Sequence, residues 1–212
     1  MSGGIAVGAV GWDHPGWAEH FYPDDLPSEW RLTYYGNEFH QVLVPAGYWR
    51  QGEAPWEQWR EDVDPSFRFV LEAGDPARLG GSDLQRIEAA AATLREQLAG
   101  VVSWQPLPDD RADVLRRILN QGRFLASVSA VASEGYTLAT GDGVACARVE
   151  SGRTTDLRDL RGLMQELQAC ACGEGGRWLF VEGAPPQIKL LRDAVILQQL
   201  LAGAAPTGPD RA

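Results

Sequence analysis

Short apolar runs alternate with longer amphipathic stretches along most of this chain. "GIAVGAV" (4–10), "HQVLV" (40–44), "FRFVLEA" (67–73) and "GVVSW" (100–104) are apolar on both faces, as strands of a parallel sheet covered by helices must be. Between the last two, Leu84, Ile87, Ala91, Leu94 and Leu98 recur at three- and four-residue steps. The spacing predicts a helix over 82–98, with Ser82 and Gln85 placed as a capping box. A second helix is expected after Asp109 or Asp110, with Val114, Leu115, Ile118 and Leu119 on its apolar face and Gly122 as its stop. "RFLASV" follows as a strand. Later, "DLRDLRGLMQELQA" carries acidic residues in its first turn, "RWLFVE" reads as a buried strand, and "PQIKLLRDAVILQQLL" reads as a last helix.

Residues 123–150 break this rhythm. "RFLASVSAVASEGYTLATGDGVACARVE" holds three strand-like runs separated by "SEG" and "TGDG". Parallel neighbours need a crossover of about a dozen residues, whereas short glycine-containing turns join antiparallel strands. The middle run, "GYTLAT", is therefore expected to lie reversed between its neighbours. Counting it gives eight strands. The expected fold class is α/β: a TIM-barrel-like (β/α)8 variant, shortened, lacking helices after strands 5 and 6, with one antiparallel strand. Residues 1–203 would form this single domain and 204–212 a disordered tail. An open doubly wound sheet is the weaker alternative, because "GAVG" lacks the G-x-G-x-x-G spacing and no G-x-x-x-x-G-K-[ST] occurs.

Composition narrows the partners. The 212 residues carry a formal charge of −10, which repels phosphate backbones, so nucleic acid is not an expected partner. No basic leader or long apolar window suggests secretion or a membrane, and a cytoplasmic location is expected. Three cysteines, an odd number, point to free thiols. "CAC" (Cys170, Cys172) lacks a second pair for a structural metal, and Cys146, inside a strand, would be buried and inert. No cofactor is expected.

In parallel barrels ligands sit at the C-terminal ends of the strands. Those ends gather Trp12, Asp13 and His14, then Tyr48 and Arg50, then Glu72, Gln105, Arg148, Glu150 and Glu182. Each has an ordinary reading beside a functional one. Asp13 beside His14 is an acid–base pair or a solvated turn. Trp12, Trp17, Tyr48 and Trp49 stack on a ligand or pack helices on the barrel. Glu72, Glu150 and Glu182 form a carboxylate set for glycoside hydrolysis or a divalent cation, or are paired with Arg50 and Arg148. Those arginines could instead hold an anion, Arg50 being the first candidate. "G-x-S-x-G" is absent, and His14, His20 and His40 offer few partners for a serine nucleophile.

"VGAVGWDHPGWAEHFYPDDLPSEWRLTYYGNEFHQV", followed by "GYWR", "WEQW" and "FRFVLEA", resembles the N-terminal half of DUF72 (YecE-like) proteins. Gly8, Gly11, Trp12, Trp17, Phe21, Tyr22, Pro23, Leu26, Pro27, Tyr34, Tyr35, Phe39, Arg50, Phe67 and Phe69 match that family's pattern in order, over about residues 5–72. Beyond this the match thins to Gln105, Arg148 and the general βα alternation. The resemblance implies a TIM-barrel-type fold and no established activity. The departures concern polar positions. Leu43 and Pro45 stand where the family usually has Glu and Asn, Gly47 replaces a Thr, and Glu72 replaces a Lys. "LASVSA" replaces an E-x-R-H segment, and "EGAPP" an Asn pair. The resulting expectation is a pseudo-enzyme that binds a small polar or anionic molecule or a protein partner. The alternative is a hydrolase acting on a sugar or phosphoester through the rim carboxylates. A homodimer through strand edges exposed at the meander is a further possibility.

Overall fold

The computed structural model describes residues 4–18, 20–119, 122–128, 136–152, 156–170, 172–173 and 175–203. Eight strands close into one barrel in sequence order: β1 (Ile5–Val10), β2 (Gln41–Val44), β3 (Arg68–Glu72), β4 (Leu98–Ser103), β5 (Phe124–Ser127), β6 (Tyr136–Gly141), β7 (Val144–Glu150) and β8 (Gly176–Glu182). β1 to β5 pair in parallel, as do β7 with β8 and β8 with β1. β6 alone runs backwards, antiparallel to both β5 and β7. The turn into β7 is only Asp142 and Gly143, too short to reverse direction twice, so the reversed strand follows from connection length. β5 and β6 meet at a single registered pair, Ser127 with Thr140. The expected eight strands and the reversed sixth are present, and the open sheet is excluded. Among the described residues every strand has a paired neighbour on each side.

Seven α-helices lie outside the barrel among the described residues: α1 (Arg31–Glu38), α2 (Ala46–Arg50), α3 (Trp56–Glu61), α4 (Gly81–Leu94), α5 (Asp109–Leu119), α6 (Leu157–Ala169) and α7 (Ile188–Gly203). Among the described residues, none is long and apolar enough to cross a membrane. Three helix expectations need correction. α4 stops at Leu94, where Arg95 takes φ 53°, and Leu98 opens β4 instead of closing the helix. The apolar spacing ran on because a buried strand continues it. The Ser82–Gln85 capping box does not form either: Gly80 is the N-cap and Ser82 lies inside the first turn. Asp109 and Asp110 likewise sit within the first turn of α5, complementing its dipole instead of capping it. α6, by contrast, is capped by Asp156, whose carboxylate accepts from the Arg158 N–H. The expected disordered tail, 204–212, lies outside the described residues.

Side-chain alternation along the strands sorts the core into two layers. Val42, Val44, Leu179 and Val181 pack with helix residues such as Leu32, Ile87, Leu115, Leu160 and Leu191. Leu43, Val70, Val102, Cys146, Trp178 and Phe180 form a separate cluster containing no helix residue, which fills the barrel. Each inward series can be extended by two residues toward the C-terminal strand ends. Val70 is followed by Glu72, Val102 by Trp104, Cys146 by Arg148 and Phe180 by Glu182. Four chemically distinctive side chains are thereby brought to one mouth.

Candidate functional site at the barrel mouth

Arg148 organises the mouth. Its Nη1 lies 3.4 Å from Glu72 Oε1, its Nε lies 3.3 Å from Glu182 Oε2, and its guanidinium carbon sits 4.8 Å from the ring centre of Trp104. Burial pushes the Glu72 carboxyl above its usual range and the nearby Glu182 adds to this, while the Ala46 N–H and the Arg148 and Arg50 guanidiniums oppose it. The backbone N–H of Ala46 donates to Glu72 Oε2 at 3.3 Å, so both oxygens of this carboxylate are engaged. Glu150 is the register partner of Glu182 on the neighbouring strand and is exposed. The carboxylates therefore do converge in part, but on an arginine. Among the described residues no group of three or more His, Cys, Asp or Glu side chains is placed to hold a metal ion.

Arg50 is held beside this cluster by other partners. Its Nη2 lies 3.0 Å from Asp83 Oδ2 and donates to the Ala73 carbonyl at 2.9 Å, while the guanidinium lies over the Trp49 ring. Gly74 permits this approach: at φ +68° it lacks a Cβ that would come within 2.6 Å of Arg50 Nη1. The expected first-choice anion ligand is thus a strut joining α2, the end of β3 and α4. Sequence reasoning missed Asp83, whose place in the first turn of α4 reads as dipole compensation.

The opening motif resolves into packing. Asp13 forms an ion pair with Arg31. His14 turns elsewhere, its Nε2 2.9 Å from the Val10 carbonyl and its ring edge-on to Trp17. Burial lowers the His14 pKa from 6.5, with the Val10 and Gly11 backbone and the Asp13 charge acting against that shift. The two adjacent side chains point apart, so the acid–base pair is not formed. Trp12 also departs from expectation: it is 5% exposed in the outer layer, edge-on to Tyr48 and Trp59. Tyr48 spends its hydroxyl on the loop backbone, accepting from the Asp13 N–H at 3.3 Å. Trp17 and Trp49 are fully buried, and Trp17 Nε1 donates to the Pro186 carbonyl at 2.7 Å, tying the first loop to the last. Gln105 is exposed, its own carbonyl accepting from the Ser103 hydroxyl.

Trp104 was legible as a strand end but not as part of the site. The signal was its place two residues after Val102 on the inward face. A groove of about 900 Å³ lies outside the barrel, between the start of α3 and α4, and is lined by Trp56, Glu57, Ser82, Gln85 and Arg86 among others. None of its lining residues belongs to the mouth cluster.

A closed eight-stranded α/β barrel with an arginine–carboxylate cluster at its strand ends thus defines the class. The chain belongs to the family described as protein of unknown function DUF72, whose model matches residues 6–129, more than half of its length. That match runs on through β5, well beyond the N-terminal motifs. Among solved structures, a DUF72 family protein from Thermotoga maritima is similar in fold, with 14% sequence identity, a TM-score of 0.56, and coverage of 93% of this chain and 98% of that one. No curated protein matches.

Proposed function

We propose that this chain is a non-catalytic DUF72 barrel of the TIM type, with a reversed sixth strand, that holds a small polar molecule at its mouth. The observation that carries this reading is the sharing of one guanidinium by Glu72 and Glu182. A hydrolytic carboxylate pair needs one group free to donate a proton and another free to attack or to activate water. Here both are committed to Arg148. The polar atoms left at the rim favour hydrogen bonding over chemistry. An anionic ligand loses support for the same reason: the Arg148 charge is balanced by two carboxylates, and that of Arg50 by Asp83. The excess of acidic residues across the chain, with a formal charge of −10, likewise supports a partner other than nucleic acid.

Thermal unfolding in the presence of a compound panel tests the reading. Neutral polyols or cation-bearing metabolites should raise the midpoint saturably, and phosphate and citrate should not. Saturable stabilisation by phosphate that is lost in Arg148→Ala would show an anion site instead. The hydrolase alternative has one favourable observation, the raised carboxyl of Glu72. Turnover of chromogenic glycosides or phosphoesters that disappears in Glu72→Gln would establish it and overturn the non-catalytic reading.

A further inference from the structure

The mouth has the construction of a cation cage. An aromatic face and carboxylates set at its edge attract organic cations through the ring quadrupole and through opposite charge together. Trp104 supplies the face, and Glu72 and Glu182 supply the charge. The cation now between them is the chain's own: the Arg148 guanidinium, 4.8 Å from the ring centre and within 3.4 Å and 3.3 Å of the two carboxylates. Its strand is fixed, since β7 pairs along its length with β6 and with β8. The side chain is less constrained. It keeps 23% of its exposure, and its flexible stem allows the head to swing to solvent without moving the barrel.

We propose that this cage is a binding site for a small organic cation, a guanidinium or primary ammonium compound, with Arg148 as a tethered resident that the ligand displaces. The proposal rests on the reading that the mouth takes a small polar molecule, and it names the class of that molecule. Charge supports it. Two carboxylates face the Arg148 guanidinium, and the neighbouring Arg50 is offset by Asp83, so the cluster stays net negative with Arg148 in place and more so when its head departs. Shape refines it. Arg148 presents Nε to one carboxylate and Nη1 to the other, a bridging geometry that suits a planar fork better than a compact ammonium.

The test uses methylguanidinium chloride at roughly 10 mM, in the range of effective concentrations of tethered groups. Urea serves as its neutral planar counterpart, sodium chloride as the ionic-strength control, and a neutral polyol as a third arm. In Arg148→Ala, methylguanidinium should raise the unfolding midpoint saturably while urea does not. Binding to the native chain should be weaker by about tenfold or more, because the ligand competes with the tethered group. Adding Glu182→Gln to either protein should remove most of the effect. No saturable rise in Arg148→Ala, or an equal rise with Glu182→Gln present, overturns the proposal. If Arg148→Ala does not fold, the native chain against Glu182→Gln carries the test alone, since Glu182 is 38% exposed and tolerates exchange. Stabilisation by the polyol but not by methylguanidinium overturns the cation assignment and leaves the polar-mouth reading standing. Stabilisation by neither overturns both.

Discussion

Asp83→Ala is the sharpest test of whether Arg50 is a strut or a ligand-binding residue. Asp83 lies 3.0 Å from Arg50 Nη2, with side-chain exposures of 10% and 21%, and Arg86 is a more distant second partner at 3.7 Å. Removing one member of a buried pair costs about 3–5 kcal/mol, chiefly because the other charge is stranded. Arg50 retains the Ala73 carbonyl, the Trp49 ring and some solvent, which reduces the loss to about 2 kcal/mol. For a protein of this size that is a fall of about 4–8 °C in the unfolding midpoint. Urea or thermal unfolding of the native chain, Asp83→Ala, Arg50→Ala and the double variant closes a mutant cycle, with an expected coupling of about 1.5 kcal/mol. A coupling below about 0.5 kcal/mol is what an exposed pair gives. That result would refute the strut and return Arg50 to its place as the leading anion-binding residue.

Gly74→Ala should lose about 1–2 kcal/mol in the same unfolding assay, because residue 74 sits at φ +68° and the new methyl meets Arg50. His14 has a folded-state pKa below its unfolded 6.5, so its contribution is intact above pH 6.5 and lost as pH falls through the lowered value. Unfolding at stepped pH should show that loss in the native chain and not in His14→Asn. Glu72 runs the other way. Its raised pKa contributes stability below the unfolded carboxyl range near 4.5, and that contribution is lost as pH rises through the folded value. Glu72→Gln should flatten this part of the curve. The Cys146 thiol, fully buried and pushed well up by desolvation, should react with a disulfide reagent only after unfolding, as tryptic mapping of the labelled chain would reveal.

Much of the barrel was written in local pattern, because a buried parallel strand must be apolar on both faces and a reversed strand must follow a short turn. Segment 123–150 shows this best: "TGDG" leaves no length for a crossover, and β6 accordingly runs backwards. Boundaries were less legible where two kinds of buried element share one spacing. Leu98 fitted both a helix stripe and the first residue of β4, and only the reversal at Arg95 separates them. The site was legible in part. Glu72, Arg148 and Glu182 reach the mouth because each continues an inward series. Trp12 does not: Gly11, at φ +75°, turns the chain before the alternation can carry it inward. Side-chain direction after a strand ends depends on that kind of backbone turn, and the spacing of residues does not encode it.

The family match and the mouth therefore carry different kinds of information. The residues shared with the DUF72 pattern are mostly placed in packing. Trp17, Tyr35, Phe39, Phe67 and Phe69 are almost wholly buried, and Tyr35 OH bridges β1 and β2 by accepting from the Ala9 N–H and donating to the Gln41 carbonyl. Such residues specify how the barrel closes and set no chemistry. Of the positions at which this chain departs from the pattern, two bear directly on the barrel interior and its mouth. Leu43, in place of an acid, joins the apolar fill of the barrel. Glu72, where the resemblance implies a lysine, supplies one of the two carboxylates that Arg148 contacts. A lysine at position 72 would put a second cation beside Arg148 and leave Glu182 as its one remaining carboxylate partner, which favours an anion, whereas a glutamate there reverses the charge balance. On the proposed reading, one exchange at the end of β3 changes the sign of the charge that the mouth attracts. Glu72→Lys, assayed against phosphate and methylguanidinium together, should invert the native preference.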